Sequence, residues 1–173
     1  MCDSPNIIEL HIFTDASQIA YGACAYVRTW NANGDVTVKL LCAKSRVTPV
    51  KPVSIPRLEL CGALVGAKLL DKIKKSLRVT FNTIMLWTDS TICWLRMSPN
   101  QLKTFVQNRV VEINELTNNV CWFHVSGINN PADLLSRGKG LDELSALPLW
   151  WNGPLFLHEK IPMTSLPSRL GTS

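Results

Sequence analysis

The chain has 173 residues, a length typical of one compact domain. Hydrophobic residues make up 46% of it and charged residues 18%, which excludes an intrinsically disordered chain. No apolar run reaches the roughly 18 residues of a membrane span, and the first residues do not form a secretion signal. Six scattered Cys lack zinc-site spacing and favour free thiols. We therefore expect a soluble, unsecreted protein of a reducing intracellular compartment, such as the cytoplasm, without membrane contact.

The net charge of +5 is concentrated in the middle of the chain. Residues 39–109 hold 13 Lys and Arg against three acids, a balance of +10, whereas both flanking regions are net negative. A basic stretch of this kind suits a polyanion such as nucleic acid. Solvated lysines on an exposed helix face would give the same count.

Hydrophobic periodicity predicts an α/β arrangement. In chain order, the predicted elements are strands at 8–15, 21–28 and 36–43, a helix from 54–57 to 76, a strand at 83–88, helices at 91–97 and 103–116, a strand at 120–125 and a helix at 131–136. Ser54 is placed to cap the long helix, and Pro56 is tolerated in its first turn. Beyond Lys139 the pattern fades into coil, in which Trp150 and Trp151 are expected to dock, most simply on the domain itself.

Four acidic residues fall where this order of elements would bring them together. They are Asp15 at the end of the first strand, Glu59 in the first turn of the long helix, Asp89 at the end of the fourth strand and Asp133 at the start of the last helix. Parallel neighbouring strands share their carboxyl ends, where α/β sheets bind ligands. Each acid alone is as readily a helix cap or turn former. Four together would repel one another without divalent cations, and all-oxygen ligation suits Mg²⁺ or Mn²⁺.

The strings around these acids resemble, in order, the four acid motifs of type-one ribonuclease H. The strings are Phe13-Thr14-Asp15-Ala16-Ser17, Ile55-Pro56-Arg57-Leu58-Glu59-Leu60, Trp87-Thr88-Asp89-Ser90 and Asn130-Pro131-Ala132-Asp133-Leu134-Leu135-Ser136-Arg137-Gly138. Residues 103–110 and the tail from Leu149 to Pro154 are similar to the version in BEL/Pao-type LTR retrotransposon Pol polyproteins. The resemblance implies a ribonuclease H-like fold, with a mixed five-stranded sheet of order 3-2-1-4-5 and helices on both faces.

The resemblance also implies an enzyme that hydrolyses the RNA strand of RNA/DNA hybrids during reverse transcription. It implies two Mg²⁺ or Mn²⁺ ions as cofactors, which can activate a water and stabilise the leaving oxygen. The implied ligands are Asp15 on both ions, Glu59 and Asp89 on the ion nearer the leaving group, and Asp133 on the ion nearer the attacking water. The predicted substrate-binding residues are Ala16, Ser17, Arg57 and Ser90. The implied partners are the hybrid and the reverse transcriptase domain of the same polyprotein.

His124 stands nine residues before Asp133, near the place where many ribonucleases H carry a mobile histidine. It also lies within a predicted strand, so an accessory catalytic role and a structural role both stay open. We predict that the ribonuclease H-like domain covers residues 1–140. Residues 141–173 are then an extension toward a downstream, integrase-like region.

The sequence is also compatible with two other functions. One is an inactive remnant that binds nucleic acid or packs within a polyprotein. The other is a related nuclease or integrase that acts on DNA.

Overall fold

A computed structural model describes residues 7–90, 103–159 and 169–170 of the chain. Its elements are β1 Ile7–Ala16, β2 Ala20–Trp30, β3 Val36–Val47, α1 Ile55–Ser76, β4 Thr83–Thr88, α2 Thr104–Leu116, β5 Cys121–His124, α3 Asp133–Ser136, α4 Leu141–Ala146, α5 Pro148–Asn152 and β6 Arg169–Leu170. The described residues also form two 3-10 helices, Gly127–Asn129 and Leu155–His158. The predicted helix at 91–97 lies outside the described residues. Among the described helices, none is long and apolar enough to cross a membrane.

The strands form one mixed sheet of order β3-β2-β1-β4-β5-β6. The first three strands are antiparallel neighbours, β4 lies parallel to β1, and β5 lies parallel to β4. The predicted fold, with strand order 3-2-1-4-5, is confirmed. The two-residue strand β6 pairs antiparallel with β5 and extends this sheet by one short strand.

One face of the sheet is covered by α1 and α2. Leu10 and Ile12 of β1 point into this core, where they meet the apolar side of α1 and residues of α2 such as Val110. The backbone carbonyl of Ser54 accepts the first hydrogen bonds of α1, but its side chain makes no capping hydrogen bond, contrary to the prediction. Helix α1 is therefore stabilised mainly by its buried apolar face.

The opposite face of the sheet carries an aromatic core. Phe13 stacks against Trp87 with ring centroids 5.8 Å apart, and Trp87 contacts Phe123 at 5.0 Å. The chain segment after residue 140 covers this face, with Trp150 and Leu157 buried in it.

The prediction that the chain beyond Lys139 is coil is therefore wrong. Residues 141–158 form α4, α5 and a 3-10 helix, each of six residues or fewer. Helices this short leave no readable period and depend on tertiary packing. Here Pro148 occupies the first turn of α5 and Trp150 is buried, whereas Trp151 is 49% exposed. The expected docking on the domain holds for Trp150.

Candidate active site

Strands β1 and β4 bring two of the four acids to the same edge of the sheet. Thr14 of β1 and Thr88 of β4 are the last parallel partners in the register. Asp15 and Asp89 are the next residues along the chain. They therefore lie side by side at the carboxyl ends of neighbouring strands. This is the juxtaposition expected for parallel neighbours at their carboxyl ends.

Close packing of α1 on β1 sets the position of Glu59. A Cβ atom on Gly62 would lie 2.8 Å from the Asp15 carbonyl oxygen, and one on Gly66 would collide with Thr14 Cγ2. Larger residues at either position would force the helix away from the strand. The two glycines thus let the N-terminal part of α1 approach the end of β1. Glu59 lies there just after the first turn, which holds no acid, so the predicted first-turn position is wrong by one residue.

A hydrogen-bonded loop fixes Asp133 against the same strand end. The buried Asn130 side chain donates to the Thr14 carbonyl at 3.0 Å and accepts from the Ala132 N–H at 3.1 Å. The Ser136 hydroxyl donates to the Asp15 carboxylate and lies 3.1 Å from the Asp133 carbonyl. Helix α3 is therefore tied to β1 through side chains as well as through packing.

The four carboxylates line one open cleft of about 500 Å³. Its described lining consists of Asp15, Ala16, Ser17, Gln18, Ile19, Ile55, Glu59, Asp89, Ser90, Asp133, Ser136 and Arg137. Four acids thus face a single base among these residues. The structure brings together all four acids singled out from the sequence.

The predicted substrate-binding residues divide into two groups. Ala16, Ser17 and Ser90 line the cleft, whereas Arg57 is not among the lining residues and lies over the Phe105 ring at 5.3 Å. The Ser17 hydroxyl donates to the Ser136 carbonyl at 2.6 Å. It also accepts from the Ile19 N–H at 3.0 Å. This hydroxyl is therefore already engaged in holding α3 and the turn after β1.

His124 is the last residue of β5 and is exposed. It pairs with Thr88 in the parallel register and is not among the described residues that line the cleft. The structure thus places it on a strand end beside β4.

Burial and repulsion by Asp89 raise the pKa values of Asp15 and Glu59. Burial raises the pKa of Asp15 to about 7, and the nearby charge of Asp89 adds to this shift. The hydrogen bond from Ser136 opposes it. The pKa of Glu59 is also raised, first by burial and then by the charge of Asp89. A bound cation would relieve this repulsion and favour the ionised forms.

The donor set fits a hard divalent cation. The cleft supplies carboxylate oxygens, the ligands that Mg²⁺ and Mn²⁺ prefer. Within the part of the chain that the structure describes, no three His, Cys, Asp or Glu side chains are gathered closely enough to hold an ion as they stand. Two of the carboxylates have other partners, Ser136 on Asp15 and Arg137 on Asp133 at 2.6 Å. Metal binding would therefore require these two carboxylates to exchange or share their present partners.

Several residues of the site were not singled out from the sequence, among them three near Asp133. Asn130, Ser136 and Arg137 all fall within the string around Asp133, yet only the acid of that string was assigned a role. A signal was available for two of them, because Ser136 and Arg137 follow Asp133 at helical spacings of three and four residues. The long-range hydrogen bonds of Asn130 and Ser136 to β1 have no local signal.

A small basic notch lies beside the cleft. It has a volume of about 80 Å³ and is lined by Tyr21, Lys44, Arg46, Cys61, Leu64, Val65, Lys68 and Arg109. Tyr21 pairs with Ala16, which lines the cleft, so the two sites adjoin through β1 and β2. Lys68 is paired with Glu112 at 2.8 Å. The notch gathers part of the positive charge found in the middle of the sequence.

Comparison with known proteins identifies the family. The family model of the Pao retrotransposon-like RNaseH-like domain matches residues 2–90, just over half of the chain. The matched residues include Asp15, Glu59 and Asp89. The chain belongs to this family. The resemblance found in the sequence is thereby confirmed, and no curated protein matches this RNase H-like domain in sequence.

Several solved structures are similar to this RNase H-like domain. RNase H1 from Halobacterium salinarum has 14% identity and a TM-score of 0.47, covering 80% of this chain and 99% of its own. The N-terminal RNase H domain of a Mycobacterium tuberculosis protein has 17% identity and a TM-score of 0.47, covering 75% and 91%. LC11-RNase H1 in complex with an RNA/DNA hybrid has 13% identity and a TM-score of 0.47, covering 80% and 99%.

Proposed function

We propose that this RNase H-like domain is a metal-dependent endoribonuclease that hydrolyses the RNA strand of RNA/DNA hybrids. The observation that carries the proposal is the cleft in which four carboxylates converge. Burial and the charge of Asp89 raise the pKa of Asp15 to about 7 there, which is the signature of acids that lack a sufficient internal counter-ion. Membership of an RNase H-like family makes nucleic-acid hydrolysis the reaction that best fits such a site.

In this proposal the carboxylates of Asp15, Glu59, Asp89 and Asp133 would hold two Mg²⁺ or Mn²⁺ ions. When bound, the ions supply Lewis-acid stabilisation and an activated water. The protein contributes the orientation of the carboxylates. Asn130 anchors the Asp133 loop to β1, and Ser136 fixes one oxygen of Asp15.

The basic notch supports binding of a nucleic-acid backbone beside the cleft. Lys44 and Arg46 of β3 lie near Lys68 of α1 and Arg109 of α2, so cations from three elements face one small space. Contacts of this kind neutralise phosphates without reading base sequence. A duplex that reaches from the notch to the cleft would present a phosphodiester to the carboxylates.

Distinction between RNA and DNA requires contact with the ribose 2′-hydroxyl. The Ser17 hydroxyl is engaged with Ser136 and the turn after β1, so we assign this contact to backbone groups near Ala16 and to the Gln18 amide. Gln18 is exposed and lines the cleft, and an amide can both donate to and accept from a hydroxyl.

In the retroelement, we propose that the reverse transcriptase domain of the same polyprotein presents the hybrid. Tethering to a polymerase raises the effective concentration of its product at the cleft. The separate chain is therefore expected to require higher hybrid concentrations than the tethered one.

The decisive experiment offers the purified chain three labelled duplexes of one sequence: an RNA/DNA hybrid, an RNA duplex and a DNA duplex. With Mg²⁺, we expect cleavage of the RNA strand of the hybrid alone, and EDTA should abolish it. Asp133→Asn should reduce cleavage by more than about a hundredfold, because even outer partners of metal ligands contribute ten- to hundredfold. Asp142→Asn, an exposed aspartate of α4 outside the cleft, is the matched control and should cleave normally.

Other outcomes would select the alternatives. Hybrid binding without hydrolysis would identify an inactive remnant. Preferential cleavage of the DNA duplex would identify a DNA nuclease. Cleavage that survives Asp133→Asn would show that the activity does not come from this site.

A further inference from the structure

Among the described residues that line the carboxylate cleft, Arg137 is the one basic residue. Its Nε donates to Asp133 Oδ1 at 2.6 Å, and its backbone N–H donates to the Asp133 carbonyl at 3.1 Å. The Arg137 side chain is 69% exposed, whereas that of Asp133 is 24% exposed. The guanidinium thus covers one oxygen of a cleft carboxylate from the solvent side.

This ion pair contributes little to holding the fold together. Exposed pairs four residues apart on a helix stabilise proteins only weakly. Asn130, bonded to the Thr14 carbonyl, and Ser136, bonded to the Asp15 carboxylate, already anchor the loop and helix that carry Asp133. The effect of Arg137 is therefore on the charge of the cleft, where it is one positive group against four carboxylates.

We propose that Arg137 is a resident counter-ion of Asp133, which a divalent cation displaces when it binds. This inference rests on the proposed function, because it assumes that Asp133 is a metal ligand. A guanidinium and a metal ion that use the same carboxylate oxygen exclude each other, so Arg137 weakens metal affinity by competition. Arg137 accordingly sets the metal concentration at which the cleft fills.

The displaced guanidinium has a second role at the rim of the cleft. An exposed arginine that has lost its carboxylate partner is well suited to bind a phosphate oxygen with two N–H groups. Metal binding and backbone binding are then coupled, because the ion releases the group that contacts the nucleic acid. Arg137 is a positioning residue for the metal and a binding residue for the phosphate.

The first test measures metal binding without catalysis. Calorimetric titration with Mn²⁺ compares the wild-type chain, Arg137→Gln and Lys139→Gln. Lys139 is the matched control, because it forms the same kind of pair with Glu143 at 3.2 Å but does not line the cleft. We expect Arg137→Gln to bind Mn²⁺ at least about threefold more tightly. Lys139→Gln should match the wild type, and Arg137→Lys should lie between the two.

The second test measures hybrid cleavage at saturating Mg²⁺. Arg137→Gln should raise the KM for the hybrid at least about threefold, while kcat changes less, because the lost contact is to phosphate and not to the reacting water. Arg137→Gln is thus expected to bind the metal more tightly and the hybrid more weakly than the wild type. General destabilisation of the cleft would weaken both.

Several outcomes would overturn the inference. Equal or weaker Mn²⁺ binding by Arg137→Gln would do so, and so would an identical gain in Lys139→Gln. If the wild-type chain binds Mn²⁺ and cleaves the hybrid, and Arg137→Gln gives the same Mn²⁺ affinity and the same KM, this inference fails and the proposed function stands. If the wild-type chain binds no Mn²⁺, both fail.

Discussion

Glu9 and Asp15 lie on the same strand, β1, and have opposite electrostatic environments. Glu9 is buried, with its Oε2 2.5 Å from Arg28 Nη1 and 3.5 Å from His11 Nε2. Burial alone would raise the pKa of Glu9, but its contacts with His11 and Arg28 outweigh burial and lower it. Asp15 faces Asp89 instead, and burial raises its pKa to about 7.

The difference separates an acid that is satisfied within the fold from one that we propose to be functional. Arg28 gives Glu9 a permanent counter-ion and also donates to the carbonyls of Leu157 and Glu159 at 2.7 Å each, so it ties the C-terminal segment to the sheet. Buried charges in proteins are normally satisfied within the fold in this way. Asp15 shares its cleft with three other acids and one exposed arginine, an arrangement that calls for cations from solution.

The largest predicted effect comes from removal of the counter-ion of Glu9. Arg28→Met leaves the Glu9 carboxylate buried without its arginine. We expect the free energy of unfolding to fall by about 3 to 5 kcal/mol, the usual cost of breaking a buried ion pair. Urea denaturation at pH 7 measures it. The double variant Glu9→Gln/Arg28→Met should recover part of the loss, and wild-type stability of Arg28→Met would contradict the structural role of the pair.

The next prediction concerns the close packing of α1 on β1, which brings Glu59 to the acidic cleft. A Cβ atom at residue 62 would collide with the Asp15 carbonyl, so Gly62→Ala should push α1, and with it Glu59, away from β1. Overpacking of this kind costs about 1 to 3 kcal/mol. We expect a loss of Mn²⁺ affinity in calorimetry beyond that caused by Gly140→Ala, since a Cβ at Gly140 would meet nothing within 4 Å. Unchanged Mn²⁺ affinity would show that Glu59 does not need this approach.

The smallest predicted effect is a gain in the free energy of unfolding, and it depends on pH. Because the pKa of Asp15 is raised from 3.8 to about 7, the native state binds a proton that the unfolded state lacks between these values. Without metal, wild-type stability therefore falls as pH rises through this window. Asp15→Asn removes the penalty and should be more stable than wild type at pH 8 by about 1 kcal/mol, after allowance for solvent screening.

The measurement for Asp15→Asn is urea denaturation in EDTA at pH 8 and pH 4. The extra stability of Asp15→Asn over the wild type should vanish at pH 4, where Asp15 is protonated in the native state. Glu9→Gln is the contrasting variant and should be destabilising at pH 8, because the pKa of Glu9 is lowered. A destabilised Asp15→Asn at pH 8 would mean that the cleft already satisfies its carboxylates.

Much of the fold was predictable from local sequence patterns. The alternation in β1 and the helical spacing in α1 are strong signals, and the parallel pairing of β1 with β4 follows from the crossover between them. The convergence of Asp15 and Asp89 could therefore be predicted from strand order alone. The order of elements also placed Glu59 and Asp133 near them, and the family resemblance supplied the metal-binding roles of all four acids.

The remaining features depend on contacts between distant residues. Nothing local to Arg28 indicates that it binds Glu9 and two carbonyls of the C-terminal segment, and nothing local to Ser136 indicates its bond to Asp15. The helices after residue 140 were missed because burial of Trp150, not periodicity, stabilises them. The position of Arg57 over Phe105 likewise depends on how α1 packs on α2.

We propose that the four cleft carboxylates, which lack a sufficient internal counter-ion, form a site for divalent cations. The sharpest test is anomalous scattering from crystals soaked in Mn²⁺ above pH 7, where Asp15 is ionised. We predict two peaks about 4 Å apart, enclosed by Asp15, Glu59, Asp89 and Asp133. A cleft without anomalous density, or Mn²⁺ bound only elsewhere on the protein, would contradict the claim.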